Sequence, residues 1–235
     1  MKQLIALFAL CFMATTMSAQ DEPEYRLELG AGVGLMNYLG DMNGNLLRGM
    51  KPAGSLVVKY KPNPRMSWAL IGSYGSLKGS SATAKTWYPS MSERMADFNT
   101  SLVDVSVRYE YNFWPFGTGR EYYGAKKLTP FIALGLGASI ANAKLTQDGI
   151  QTKSSSVAGQ LPIGLGVKYK MGARLNLAVE WMMHFTAGDK LDGIKDPYGI
   201  ESSGLFKNTD CYSMLGLTLT YDLWAKCKTC HNDRD

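Results

Sequence analysis

The chain has 235 residues, of which 46% are apolar and 19% are charged, and its formal net charge is +5. This apolar fraction is large enough to bury a folded core, so the composition excludes an intrinsically disordered chain. The Lys and Arg residues are scattered and often lie beside Glu or Asp. They form no concentrated basic stretch, so no nucleic-acid partner is expected.

Residues 1–19 have the pattern of a secretory signal peptide. Lys2 supplies the positive start, an apolar stretch runs from Leu4 to Met13, and Ala19 is a small residue at the expected cleavage point. We expect the mature chain to begin at Gln20 and to be exported to an oxidising compartment. No later run approaches the roughly 20 apolar residues of a membrane-spanning helix, so a helical membrane bundle is excluded.

Four later stretches alternate cleanly between apolar residues and small or polar ones, which is the period of a β-strand, and four more fit this period less cleanly. In chain order the predicted strands are 25–39, 53–61, 67–78, 102–113, 129–142, 161–170, 174–186 and 212–223. Their length matches or slightly exceeds the roughly 9–11 residues with which a tilted strand crosses a bilayer. The pattern therefore favours strands that span a membrane.

The predicted connections alternate in length, except that residues 114–128 fall on the short-turn side but are long. Residues 62–65 and 171–173 form short turns, whereas 79–98, 144–157 and 188–210 are long and polar. Short turns on one side and long loops on the other are typical of an outer-membrane barrel, in which closure pairs every backbone group.

We therefore predict an all-β fold, an eight-stranded antiparallel transmembrane outer-membrane β-barrel over residues 20–224. The C-terminal tail, residues 225–235, follows it. An even number of strands places both termini on the short-turn side, which is the periplasm. A soluble β-sandwich or lipocalin-like barrel is the alternative, because there too one face of each strand alternates.

Side-chain parity divides the strands into a lipid face and a lumenal face. Aromatic residues at the short-turn ends are predicted to form an interfacial girdle of Tyr25, Tyr60, Trp68, Tyr111, Phe113, Trp114, Phe131, Tyr169, Tyr221 and Trp224. The predicted lumenal set combines glycines with charges, namely Arg26, Glu28, Gly30, Gly32, Gly34, Lys59, Asp104, Arg108, Glu110, Lys168 and Glu180. Eight strands leave an interior that side chains fill, so we expect paired charges and no solute pore. A proton or ion path is the alternative role for these charges.

The C-terminal tail contains Cys227-Lys228-Thr229-Cys230-His231, the attachment pattern of c-type haem. Only four residues follow it, so no domain surrounds the site to bury a haem, and no cofactor is predicted. A disulfide or redox pair between Cys227 and Cys230 is favoured, with a metal pair or a partner contact as alternatives. Cys211 is expected to stay unpaired with the tail, because a whole strand separates them.

His184 is predicted to face the lumen as a hydrogen-bonding residue. Ser213 and Asp210 on the neighbouring strand are the candidates for a hydrolase triad with it, but no spacing motif supports one. The sequence therefore predicts no catalytic residues, no metal site and no small-molecule substrate.

Several short motifs follow one another in a recognisable order along the mature chain. They are Asn37-Tyr38-Leu39-Gly40-Asp41, the stretch 109–116 (YEYNFWPF), Thr129-Pro130-Phe131, the stretch 162–169 (PIGLGVKY), Glu180-Trp181, Phe185-Thr186 and the stretch 189–192 (DKLD). In this order and spacing the chain resembles the PorG-like outer-membrane proteins of the type IX secretion system of Bacteroidota.

The resemblance implies a non-enzymatic barrel that associates with the periplasmic ring of the PorK lipoprotein and PorN. It also implies a requirement for the secretion of proteases and other cargo. The predicted partner contacts are the turn residues Arg120, Tyr122, Tyr123, Lys126 and Lys127 together with the tail residues Cys227 and Cys230. Aromatic and Arg residues are common at interface centres, although a solvated turn is the alternative.

Two other functions stay open at this point. One is a generic surface barrel of the OmpA or OmpX type with an adhesive or structural role. The other is a barrel enzyme that modifies lipid. In all three cases the lipid bilayer is the expected environment.

Overall fold

The computed structural model describes residues 23–39, 49–80, 96–118, 124–147, 150–188, 191 and 210–225. The strands are β1 (Tyr25–Leu39), β2 (Lys51–Asn63), β3 (Met66–Ser80), β4 (Ala96–Asn112), β5 (Leu128–Gln147), β6 (Ile150–Lys170), β7 (Leu175–Thr186) and β8 (Cys211–Ala225). In these ranges no helix has the length and apolar character needed to cross a membrane. The eight strands confirm the all-β prediction.

Each strand pairs antiparallel with its neighbours in the chain, and β1 pairs with β8 to close the barrel. The seam is continuous, because β1 and β8 are in register from Tyr25 opposite Ala225 to Leu39 opposite Cys211. Closure leaves the wall without a free edge around its circumference, as a sheet in lipid requires. The predicted closed antiparallel barrel is thus confirmed.

The outer face of the wall is apolar around the whole circumference. Large hydrophobic side chains point outward from every strand, and Val33, Leu56 and Leu136 are 66%, 70% and 71% exposed. In water this continuous belt would be an aggregation surface, whereas in lipid it is the expected solvent contact. The soluble-barrel alternative is therefore wrong, and the wall spans a membrane.

Small residues on the inner face make room for the lumenal side chains. A Cβ on Gly135 would lie 2.3 Å from the Val107 carbonyl oxygen and 2.9 Å from Cα of Arg108. A larger residue there would collide with the backbone of β4. Gly135 thus lets β4 and β5 lie together beside the bulky Arg108 side chain.

The prediction of a long loop over residues 144–157 is wrong. β5 continues to Gln147 and β6 begins at Ile150, and these two residues pair across the hairpin. Only Asp148 and Gly149 lie between the strands. Asp-Gly between strands is a strong hairpin signal, and this signal was available in the sequence.

Four strands extend past their neighbours as a result. Pairing of β2 with β3 ends at Ala53 opposite Gly75, and pairing of β6 with β7 ends at Gln160 opposite Thr186. Beyond these points β3, β4, β5 and β6 continue together, and we call their residues 76–80, 96–101, 142–147 and 150–159 the sheet extension. Its outer face is polar, with exposed Lys78, Asn99, Asn142, Lys144 and Lys153.

The predicted aromatic girdle is confirmed for its outward members. Seven side chains at the end of the barrel opposite the sheet extension are exposed, namely Tyr60, Trp68, Phe113, Trp114, Tyr169, Tyr221 and Trp224. The prediction that Phe131 belongs to the girdle is wrong, because its side chain is 1% exposed and faces the lumen. It shares the inward parity of its register partners Asn112 and Gly166, and the space left by Gly166 receives its ring.

Candidate functional site

The barrel has two ends with different connections. The turn end carries residues 64–65, the connection 113–127 and residues 171–174, together with the start of β1 and the end of β8. The loop end is opposite and includes the sheet extension.

The turn-end half of the lumen contains ion pairs that cross between strands. The carboxylate of Glu110 on β4 accepts hydrogen bonds from Nζ of Lys59 on β2 at 2.9 Å and lies 2.7 Å from Nζ of Lys168 on β6. Ser67 Oγ donates to the same carboxylate at 2.9 Å. The Lys168 ammonium also lies 4.6 Å from the centroid of the Phe131 ring, a cation–π contact. Glu110 is thus the common partner of two buried cations.

A second ionic cluster lies nearer the barrel mouth. Asp222 on β8 accepts from Nζ of Lys61 at 2.7 Å and also from Lys170. Lys61 in turn lies 2.7 Å from the Glu28 carboxylate on β1, which accepts a 3.0 Å hydrogen bond from Thr220. These contacts join β1, β2, β6 and β8 across the interior. The predicted pairing of lumenal charges is confirmed for these residues, whereas Arg26, also predicted to face the lumen, is exposed.

A layer of polar aromatic and charged residues lies further toward the loop end. His184 Nδ1 is 3.1 Å from both Asp104 Oδ2 and Gln160 Oε1, and its ring stacks on Tyr212 at 4.4 Å. Nη2 of Arg108 lies 3.5 Å from Nε2 of the same imidazole. Since His184 is fully buried, its predicted role as a lumenal hydrogen-bonding residue is confirmed.

This arrangement differs from the hydrolase triad considered above. The carboxylate beside His184 is Asp104, and Tyr212 rather than Ser213 is opposite it in register. Asp210 accepts hydrogen bonds from the Tyr38 hydroxyl and, at 2.9 Å, from the Leu191 amide. The residues near His184 therefore do not reproduce the predicted set.

The loop-end half of the lumen also contains a large apolar cluster, which the expected set of glycines and charges did not include. One cluster of buried side chains fills it, namely Met36, Tyr38, Leu77, Phe98, Leu102, Ala141, Leu145, Leu191, Tyr212 and Met214. Leu191 enters from outside the strands, and its carbonyl accepts a 2.6 Å hydrogen bond from Thr100. The lumen is therefore filled by packed apolar side chains at this end and by paired charges at the other.

Residues 113–118, which we call the turn strap, pack on the turn end of the barrel. The Phe116 amide donates to the Pro64 carbonyl at 3.0 Å, and Phe116 forms a parallel bridge with Lys126. Thr118 Oγ1 then donates to Glu24 Oε1 at 2.6 Å, next to the start of β1. Since β2 and β3 lie between β1 and β4 in the strand order, this contact links the β4–β5 connection to a strand that is not its neighbour. Phe116 is 7% exposed, so this part of the strap is buried rather than solvated.

Exposed cations surround the strap at the girdle level. Arg65 Nη1 donates to the Phe113 carbonyl at 3.1 Å, and Nζ of Lys126 lies 4.9 Å from the Trp114 ring. Arg174 Nη1 donates to the Tyr221 hydroxyl at 3.4 Å, and this hydrogen bond raises the pKa of the guanidinium above its ordinary value. Each of these three cations is thus held against a different girdle aromatic.

The predicted partner-binding residues are only partly covered by the structure. Lys126 and Lys127 are exposed beside the turn strap, as a contact surface requires. Arg120, Tyr122, Tyr123, Cys227 and Cys230 lie outside the described residues, so their partner contacts and the possible disulfide remain predictions.

Cys211 is a free thiol whose Sγ donates to the Leu39 carbonyl at 3.2 Å. Among the described residues no group of three or more His, Cys, Asp or Glu is placed to hold a metal ion.

Comparison with known proteins supports the fold. The family model described as "Domain of unknown function (DUF6089)" matches residues 1–232. No curated protein sequence matches the chain significantly. The crystal structure of Neisserial surface protein A (NspA) superposes with a TM-score of 0.51 at 14% identity, covering 84% of this chain and 97% of that one. A major outer membrane protein from Thermus thermophilus gives a TM-score of 0.50 at 13% identity, covering 84% and 99%. At these identities the likeness concerns the barrel fold alone.

Proposed function

The chain belongs to the DUF6089 family, and for this member we propose a non-enzymatic role in protein secretion. It is an outer-membrane barrel of the type IX secretion system that anchors the periplasmic ring of PorK and PorN. Both termini and the turn end face the periplasm. The proposal extends the motif resemblance with the geometry of the lumen and the turn strap.

An outer-membrane location is supported by three features. The wall is a closed antiparallel barrel with an apolar belt, the chain begins with a signal-peptide pattern, and an aromatic girdle marks one membrane boundary. The fold is also that of Neisserial surface protein A and of the major outer membrane protein from Thermus thermophilus. An exported barrel of this kind is inserted in the outer membrane.

The filled lumen is the observation that carries the proposal. Ion pairs of Glu110 and Asp222 occupy one half, and the cluster around Phe98 and Leu102 occupies the other. Secreted protein cargo cannot pass through such an interior, so another component must provide the conduit. The barrel then contributes through its surfaces, and the periplasmic surface with the turn strap is suited to hold a ring.

The same interior argues against catalysis. His184 and Asp104 are each 0% exposed and are held by Tyr212, Gln160 and Arg108. A lipid or water substrate has no route to them among the described residues. We therefore propose that the chain is not an enzyme and binds no small-molecule substrate.

A co-purification experiment tests the anchor role. The protein, tagged in the predicted loop 188–210, is extracted from outer membranes with detergent, and PorK and PorN are quantified in the eluate. We expect both ring proteins to co-purify, and we expect a deletion strain to lose secretion of protease cargo. A barrel that elutes without them, from a strain that secretes normally after the deletion, would refute the role.

Variants locate the contact. Replacing Arg120, Tyr122, Tyr123, Lys126 and Lys127 with Ala should release the ring while the barrel stays folded. The matched control replaces Lys144 and Lys153, two exposed cations at the loop end, with Ala. Equal retention of the ring by both variants would place the contact elsewhere, with the tail around Cys227 and Cys230 as the next segment to test.

The sheet extension favours one second candidate, a surface barrel with an adhesive role. Its polar outer face projects past the apolar belt at the loop end. Normal protease secretion after deletion, combined with reduced attachment of cells to a surface, would favour this alternative.

A further inference from the structure

The turn end carries exposed cations at three of its connections. Arg65 lies in the β2–β3 turn, Lys126 and Lys127 in the β4–β5 connection, and Arg174 in the β6–β7 turn. These connections follow one another around the closed strand order, so the cations are distributed along the circumference. The charge therefore forms an interrupted ring rather than a patch on one side.

Each connection has a cation in contact with a girdle residue. The guanidinium of Arg65 bonds to the Phe113 carbonyl, the Lys126 ammonium lies over the Trp114 ring, and the Arg174 guanidinium bonds to the Tyr221 hydroxyl. All three aromatic residues are 41–48% exposed members of the girdle. The girdle lies at headgroup level in a membrane barrel, so these cations lie where phosphate groups lie.

The described acidic residues leave these charges uncompensated. The lumenal carboxylates Glu28, Glu110, Glu180 and Asp222 pair with lumenal cations, and Glu24 accepts from Thr118. None of the ion pairs among the described residues involves Arg65, Lys126, Lys127 or Arg174. An anion from outside the chain is the complementary partner.

We propose that Arg65, Lys126 and Arg174 bind the phosphates of anionic phospholipids in the leaflet that surrounds the turn end. The distribution of the cations around the circumference favours lipid over a protein partner. A protein docked on the mouth would contact one face of the barrel, whereas a layer of headgroups contacts every connection. The lateral position beside girdle aromatics also continues the lipid-facing surface. Lys126 thus has a role that does not depend on the proposed ring contact.

Quenching of tryptophan fluorescence by brominated lipid tests the proposal. The folded protein is reconstituted in phosphatidylcholine containing brominated phosphatidylglycerol or, in parallel, brominated phosphatidylcholine. The ratio of the two quenching curves gives the relative affinity for the anionic lipid. We expect the unmodified protein to prefer phosphatidylglycerol, with about a fivefold contribution from each cation, and to lose this preference at high salt.

The decisive variant is the triple substitution Arg65→Gln, Lys126→Gln and Arg174→Gln, which should abolish the preference. The control is Lys78→Gln, Lys144→Gln and Lys153→Gln, which removes the same charge from the loop end and should retain it. Heat-modifiable gel mobility verifies that both variants are folded. If a triple variant does not fold, the three single substitutions are tested in its place. An equal preference in all three proteins would overturn the proposal.

The outcome is separable from that of the proposed function. If the turn-end variant keeps its preference for phosphatidylglycerol but loses PorK and PorN in the pull-down, the cations belong to a protein interface and the lipid proposal fails. If the preference is lost in the variant while no ring protein co-purifies with the unmodified barrel, the lipid proposal stands and the anchor role fails.

Discussion

The two halves of the lumen are enclosed by the same alternating wall but are filled in different ways. Toward the loop end, Phe98, Leu102 and their neighbours pack as an apolar core, whereas toward the turn end Glu110 and Asp222 each join two buried lysines. Apolar packing loses stability in proportion to the contacts removed. A buried ionic cluster fails more abruptly, because removing one partner leaves another charge without compensation.

The largest effect is expected from Glu110→Gln. The substitution leaves the ammonium groups of Lys59 and Lys168 beside a neutral amide in a buried site, which should lower the free energy of unfolding by about 4 kcal/mol. Urea unfolding in phospholipid vesicles, followed by tryptophan fluorescence, measures the change. Asp97→Asn, which removes an exposed carboxylate from the sheet extension, is the control and should change stability by less than about 0.5 kcal/mol. Similar losses in the two variants would contradict the ionic description of this half.

A somewhat smaller loss is expected from Leu102→Ala in the apolar half. Leu102 is fully buried in the cluster, so truncation should cost about 3 kcal/mol through lost transfer and a residual cavity. The same unfolding assay applies. Leu134→Ala is matched in chemistry but points into lipid at 50% exposure, and lipid can fill the space it leaves. A loss at Leu134 equal to that at Leu102 would show that the cluster does not stabilise the loop end.

The smallest loss in the free energy of unfolding is expected at the turn strap, at the same end of the barrel as the ionic clusters. Thr118→Val removes the hydrogen bond to Glu24 and should cost about 1 kcal/mol. The Phe116 and Gly117 amides, which donate to Pro64 and Lys126, should then exchange faster with solvent deuterium. Thr152→Val, at an exposed position of the sheet extension, is the control. Unchanged exchange at Phe116 would mean that the strap is held by its backbone contacts alone.

Much of the wall could be predicted from the sequence, because lipid on one side and a narrow lumen on the other impose a period of two. Parity placed Lys59, Arg108, Glu110 and Glu180 inside, and the structure agrees. It could not reveal that Glu110 joins Lys59 to Lys168, because those residues lie on three different strands. Cross-lumen partners depend on strand stagger, which alternation does not encode.

The errors have physical reasons as well. Residues 144–157 are mostly polar on their outer face, with Val157 as the exception, because most of them lie beyond the apolar belt. Their composition is therefore close to that of a loop although they continue as strands. Phe131 lies at a strand end, as the girdle residues do, but its side chain has the opposite parity. Its ring therefore contacts the Lys168 ammonium in the lumen instead of the membrane interface. The contacts of the turn strap with Pro64 and Glu24 were not predicted either, because short sequence motifs carry no information on which distant residues a connection will contact.

The unequal strand lengths give the barrel a bevelled rim. At about 3.3 Å per residue and a tilt of about 40°, the stretch 150–159 alone rises on the order of 25 Å above the point where β7 stops pairing. A wall of eight similar strands would otherwise look the same from every direction in the membrane plane. Because of this bevel, a neighbour in the bilayer or a macromolecule at the loop end meets a tall side and a low side of the strand wall. Any assembly that contains this barrel can therefore fix its rotational orientation as well as its position.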